Sequence, residues 1–165
     1  MQNSYNQNPL SIANFFIKKS NFTATSLQLI KLSYIAHGYT LALTDKKLFD
    51  ETIEAWKHGP VIPSIYHTFK HYGKNKVAEV SYEYDFDDNL EFGPTEPKID
   101  IEKNDLAHQI LDAVWEGYSR YNGFELVDLT HQDGTPWSTS YQPGVLHKTI
   151  EAETIKDYYK DVLTK

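Results

Sequence analysis

The sequence predicts a mainly α (α+β) fold, a compact helical domain of about six helices with a small strand or hairpin component. Three observations predict it. Apolar residues recur at helical spacing in several capped stretches. Two short stretches alternate instead, as strands do. The 165 residues are 40% hydrophobic and 14% aromatic, with 12 Tyr, 8 Phe and 3 Trp against 1 Met, so large rigid side chains can fill one core. A domain typically spans about 100–200 residues. Positions 1–165 therefore read as a single domain, carrying an acidic strand and loop segment at 74–100 and a C-terminal helix at 150–163.

The first helix opens at Asn8-Pro9, a capping residue followed by the imino acid favoured at the first helical position. Leu10, Ala13, Phe16 and Ile17 form its stripe, and Lys18 and Lys19 suit its carbonyl end. Thr25 and Gln28 have capping-box spacing and start a second helix over Leu27 to Thr44. That helix is apolar around much of its circumference, which places it at the centre of the domain. A short extended segment follows within Asp50 to His58, broken by Gly59-Pro60. A third helix runs to Tyr72, with Ile62, Ile65, Tyr66 and Phe69 as its apolar face and Gly73 as its stop.

Beyond Lys74, Val77, Val80, Tyr82, Tyr84 and Phe86 alternate with small or charged residues, and Asp85, Asp87, Asp88, Glu91, Glu96 and Asp100 load the stretch with negative charge. One or two exposed strands and an acidic loop are expected there. Asn104 or Asp105 caps a helix bearing Ala107, Ile110, Leu111, Val114, Trp115 and Tyr118, which ends before Asn122-Gly123. A shorter helix carries Phe124, Leu126, Val127 and Leu129. The last runs from Ile150 to Leu163, with Glu151 and Glu153 early and Lys160 late to match the helix dipole.

Composition excludes several classes. With 0 Cys there can be no disulfide, thiolate nucleophile or Cys-bound zinc. No apolar run approaches the roughly 20 residues that span a bilayer, and Met1 to Pro9 lacks the plan of a signal peptide. The cytoplasm is the expected location and no membrane partner is expected. A net charge of −7 opposes a general grip on phosphate backbones, so nucleic acid is disfavoured as a partner. The one dense basic cluster, Lys70, His71, Lys74 and Lys76, reads as a solvated helix end.

Catalytic constellations are weak. His67 and His71 stand four apart on a predicted helix, but Lys70 lies between them and would oppose a cation. His37, among apolar neighbours, reads as a buried, hydrogen-bonded histidine. His131 and Asp133 could form an acid–base pair, yet no nucleophile is specified by spacing, and turn chemistry accounts for the cluster. No catalytic residue, cofactor or metal is expected. The most informative segment is Ala55-Trp56-Lys57-His58-Gly59-Pro60-Val61-Ile62-Pro63-Ser64. Its stiff backbone could display Trp56 for docking at little entropic cost, or Trp56 could plug the core while Gly59-Pro60 turns the chain.

The run Leu27 to Tyr39, then Leu48-Phe49-Asp50, then Ile53 to Pro63 with Tyr66, closely resembles the Panacea domain family of SocA-like antitoxins and GepA-like phage-associated proteins. Leu129-Thr130-His131 with Pro136-Trp137 resembles its distal motif, so the likeness covers roughly residues 8–140. The resemblance implies a helical domain with few strands, and an antitoxin that neutralises a cognate toxin by direct binding. It also implies that some members act as proteolytic adaptors delivering a partner to an ATP-dependent protease such as ClpXP. A phage-associated enzyme acting through His131 or the His67/His71 pair is the remaining alternative. The acidic stretch 80–100 falls outside the shared pattern. The candidate partner-binding residues are Trp56, Lys57, His58, Gly59, Pro60, Val61, Pro63, Tyr66, His131 and Trp137. An acidic chain would suit a basic toxin.

Overall fold

The computed structural model describes residues 3–165; Met1 and Gln2, the start of the polar N-terminal stretch, lie outside it. Helix α1 (Pro9–Lys19) begins where the sequence places it, with the Asn8 side chain accepting from the Leu10 amide at 2.9 Å. Helix α2 (Ser26–Thr44) opens on the complete Thr25/Gln28 capping box. Because α2 is apolar around much of its circumference, it can bury most of its surface, and α1, α3, α4, α5 and α7 all pack around it. Ile12, Phe16, Leu29, Leu32, Ile35, Phe49, Ile62, Ile65, Leu111 and Leu126 are buried at this centre. Each such side chain contributes roughly 1.5–3 kcal/mol of transfer free energy.

Strand β1 (Glu54–Trp56) is shorter than the expected extended segment, and it does not stop at Gly59-Pro60. It turns through Lys57 and His58 into β2 (Gly59–Val61), with Ala55 opposite Pro60 and Trp56 opposite Gly59. The proline is tolerated because β2 is an edge strand, in the order β2-β1-β5, and so owes the sheet no second ladder bond. Strand β5 (Lys148–Thr149) pairs with the other side of β1, and the Ile150 amide donates to the Ile53 carbonyl at 2.9 Å. That pairing holds residues 148–150 extended. Helix α7 therefore begins at Ala152, with Glu151 as its N-cap, rather than at Ile150, and ends at Leu163 as expected.

Helix α3 (Pro63–Phe69) gives way to a 3-10 turn over Lys70–Tyr72 before Gly73. Strands β3 (Glu83–Phe86) and β4 (Phe92–Thr95) form a separate antiparallel hairpin within the acidic segment. Helix α4 (Leu106–Tyr118) is capped by Asp105. It ends at Tyr118, before Asn122-Gly123 as expected, and Asn122 then caps α5 (Gly123–His131) in a second capping box with Glu125. Seven α-helices are present among the described residues, one more than expected. The extra one is α6 (Pro136–Ser140), where Thr135 caps a segment read from sequence as turn chemistry.

The α2–α7 contact explains a glycine. A methyl group at Gly38 on α2 would overlap the Tyr159 ring of α7. Tyr159 in turn meets Tyr39 edge-on at 4.7 Å and Tyr34 at 6.1 Å, so an aromatic layer seals the α2–α7 seam.

A pinned aromatic face as candidate functional site

The β1–β2 turn is held from below by a charge. Lys31 lies in the apolar run Leu29-Ile30-Lys31-Leu32 of α2 and is 1% exposed. Its Nζ donates to the Pro60 carbonyl at 2.8 Å and to the His58 carbonyl at 3.1 Å. Burial pushes the ammonium down to about 7, while the two carbonyl acceptors favour its charged form. Gly59 lies between those two carbonyls with φ +114°. A Cβ there would stand 2.8 Å from the Lys31 Nζ, so both backbone conformation and space require glycine.

A second clasp acts from the side. The Trp137 Nε1, on α6, donates to the Trp56 carbonyl at 2.6 Å. The Trp56 indole Nε1 donates to Glu54 at 2.6 Å, and the same carboxylate oxygen lies 3.1 Å from His147 Nδ1. The Trp56 ring meets Tyr66 edge-on at 4.8 Å and His67 at 6.4 Å, while Trp137 stacks on Tyr141 at 4.8 Å and meets His131 at 5.3 Å. Trp56, Tyr66, His131, Trp137 and Pro63 are half-buried, Lys57 and His58 are exposed, and Gly59, Pro60 and Val61 are buried. The candidate residues thus divide in two: the aromatic rings and the turn residues reach the surface, and the Gly-Pro-Val strand is scaffolding. Trp56 is half-buried against the core, clamped at its indole Nε1 and at its own carbonyl.

Beside it, Ala55, Trp56, Lys57, Tyr141 and the loop Gly144–His147 line a largely apolar groove of about 410 Å³. Leu146 on its rim is 83% exposed. Neither Tyr141 nor this loop carries a signal in the sequence. Lys31 does, as a lone cation inside an apolar helical run, but its carbonyl partners lie 27 and 29 residues away.

The histidines take separate places. His67 packs on Tyr66, and His71 packs on Tyr72 within the 3-10 turn, so the four-residue helical register they would need is broken between them. Among the described residues no group of three His, Asp or Glu is arranged to hold a metal ion, and no helix is long and apolar enough to cross a membrane. His131 Nδ1 lies 3.4 Å from the Asp128 carbonyl. His37 is buried and packs against Phe49 at 4.3 Å, but its Nδ1 has no hydrogen-bonding partner among the described residues, contrary to the bonded state expected from sequence. Burial, aided by the Lys47 charge, pushes it down to about 3, which keeps the ring neutral.

A family model described as antitoxin SocA-like, Panacea domain, matches residues 29–138. The match starts within α2, later than the residue 8 to which the resemblance reached, and it includes Lys31, the β1–β2 hairpin and Trp137. Antitoxin SocA of Caulobacter vibrioides (strain NA1000 / CB15N) is 27% identical over 157 residues, covering 91% of this chain and 81% of that protein. No solved structure matches the chain.

Proposed function

Since the chain belongs to the SocA-like antitoxin, Panacea-domain family, we propose that it neutralises a cognate toxin by direct binding, without turning over a substrate. The observation that carries this reading is the clamped aromatic face. Lys31 and Trp137 fix the backbone of the β1–β2 turn from two directions, so Trp56 and Tyr66 are presented already ordered. Preordered aromatic anchors lose little conformational freedom on docking, which is how a few rings come to dominate an interface. The adjoining apolar groove would take a side chain of the partner. A net charge of −7 would draw a basic toxin into encounter and repel acidic competitors.

The deciding experiment expresses the protein encoded beside this one, alone and together with this chain. Growth arrest by the neighbour alone, relieved by co-expression and accompanied by a stable complex, is the expected result. A harmless neighbour would end the antitoxin reading. Relief that requires an intact ATP-dependent protease, with the toxin disappearing rather than accumulating in a complex, would replace neutralisation by binding with delivery to that protease.

A further inference from the structure

The β3–β4 hairpin has two unlike faces. In its register Tyr84 stands opposite Pro94 and Phe86 opposite Phe92, so these four side chains share one face, and Glu83 and Asp85 alternate onto the other. The aromatic face is uncovered: Tyr84 is 70% exposed, Phe86 61% and Phe92 64%, with Leu90 at the tip 81%. Phe92 meets Phe86 at 5.3 Å and Tyr84 at 6.2 Å, forming a continuous aromatic strip.

The blade is nevertheless anchored at its base. Asn14, buried in α1, accepts from the Ser81 amide at 2.8 Å and donates to the Pro97 carbonyl at 3.2 Å, gripping both ends of the excursion. Lys18 pairs with Glu96 at 2.7 Å, and Asn8 donates to Glu83 at 3.0 Å. At the tip the Asp87 carboxylate accepts from the Asn89 and Glu91 amides. A two-stranded ribbon packed on nothing is marginal in water, and an exposed aromatic strip on it is costly unless something covers it.

The charge around the hairpin points to what would cover it. Between Val77 and Pro97 stand seven carboxylates and no Lys, Arg or His. We infer that the Tyr84/Phe86/Phe92 face of this hairpin is a second docking surface, whose occupant is a partner segment in which lysines or arginines alternate with apolar side chains. The apolar groups of that segment cover the aromatic strip, and its cations meet Asp88 and Glu91 at the tip. This deepens the preceding reading and rests on it for the partner's identity as the toxin. It adds a site separate from the Trp56 face, built on hairpin residues 83–95, none of which lies in the buried core.

Two variants of the full chain test it. Phe86→Ser/Phe92→Ser removes the strip and leaves every charge in place; Asp88→Lys/Glu91→Lys inverts charges that make no bond within the protein. Both change exposed positions, so their circular dichroism and melting should match wild type. Against the co-encoded protein, the first variant should bind about 30-fold more weakly, as loss of an interface hot spot does. The second should associate about tenfold more slowly and lose its salt dependence. An independent arm titrates a synthetic peptide of alternating lysine and leucine into the labelled wild-type protein, followed by NMR. Shifts confined to residues 83–95 are expected, abolished in the serine variant and by salt at about 0.5 M, and absent with a glutamate–leucine peptide. Serine and lysine variants that bind the co-encoded protein as wild type does would overturn the inference. If wild type fails to bind that protein, the antitoxin reading falls instead. The lysine–leucine arm then decides the hairpin alone, and no shift there overturns it. A wild-type dimer that becomes a monomer in the serine variant would also overturn it, assigning the face to a second copy of the chain.

Discussion

The Lys31 ammonium on α2 donates to the Pro60 carbonyl at 2.8 Å from beneath the β1–β2 turn, joining the centre of the core to the edge of the candidate site. Burial holds this lysine near 7 when folded, whereas the unfolded chain holds it near 10.5. Between those values the unfolded state carries the extra proton, so stability rises as the pH climbs. From about pH 7 to pH 9 the gain should be about 2 kcal/mol. Urea denaturation at both pH values reads it. Lys31→Met should abolish the rise, and should loosen the turn by leaving the Pro60 and His58 carbonyls without their donor. A rise of the same size in the methionine variant would remove Lys31 as its cause.

His37 gives the acid limb. Folded, its ring stays neutral to about 3; unfolded, it protonates at its ordinary 6.5. In that interval the unfolded chain binds the additional proton, and stability falls as pH drops. Between about pH 6.5 and pH 4.5 the loss should be about 2 kcal/mol. His37→Leu should be flatter by that amount in equilibrium denaturation.

Two helix glycines should respond in opposite senses to alanine. Gly38→Ala drives a methyl into the Tyr159 ring at the α2–α7 seam and should cost about 2–3 kcal/mol. Gly117→Ala, on α4 with nothing within 4 Å, should gain about 0.5–1 kcal/mol from helix propensity. Calorimetric melting of the pair gives the comparison, and equal shifts would contradict the packing.

Trp137→Phe keeps a ring to stack on Tyr141 but deletes the donor to the Trp56 carbonyl. The expected cost is about 1–2 kcal/mol of stability. Neutralisation should weaken along with it, because Trp56 is no longer held in place.

Trp56→Ala/Tyr66→Ala removes the displayed rings themselves, and a folded double variant should fail to relieve growth arrest. Full relief by that folded protein would take this face out of the interface and leave the β3–β4 hairpin to account for binding alone.

Helix starts were legible in the sequence wherever the signal lay within one turn. Asn8-Pro9, Thr25/Gln28 and Asp105 cap the helices they were expected to cap. Asn122 marks the break after α4 as expected, and its second role, capping α5, shows only through the Glu125 reply. Strand β2 escaped notice because a proline argues against a strand, except on an edge, and edges are defined by the rest of the sheet. The ten candidate residues could be named but not sorted by burial, since Gly59, Pro60 and Val61 are buried by the packing of strand β2 against distant elements.

The sequence by itself determined the helical class, the central position of α2, and the acidic, aromatic character of the 74–100 segment. Each follows from periodicity, capping or composition, which act over a few residues or need no geometry. Tertiary structure alone decided that Lys31 supports the β1–β2 turn, that Trp137 clasps Trp56 across 81 residues of chain, and that Gly38 yields its space to Tyr159. A buried donor must find an acceptor, and a close-packed interior must fill its gaps, but which distant group does so depends on the path of the whole chain.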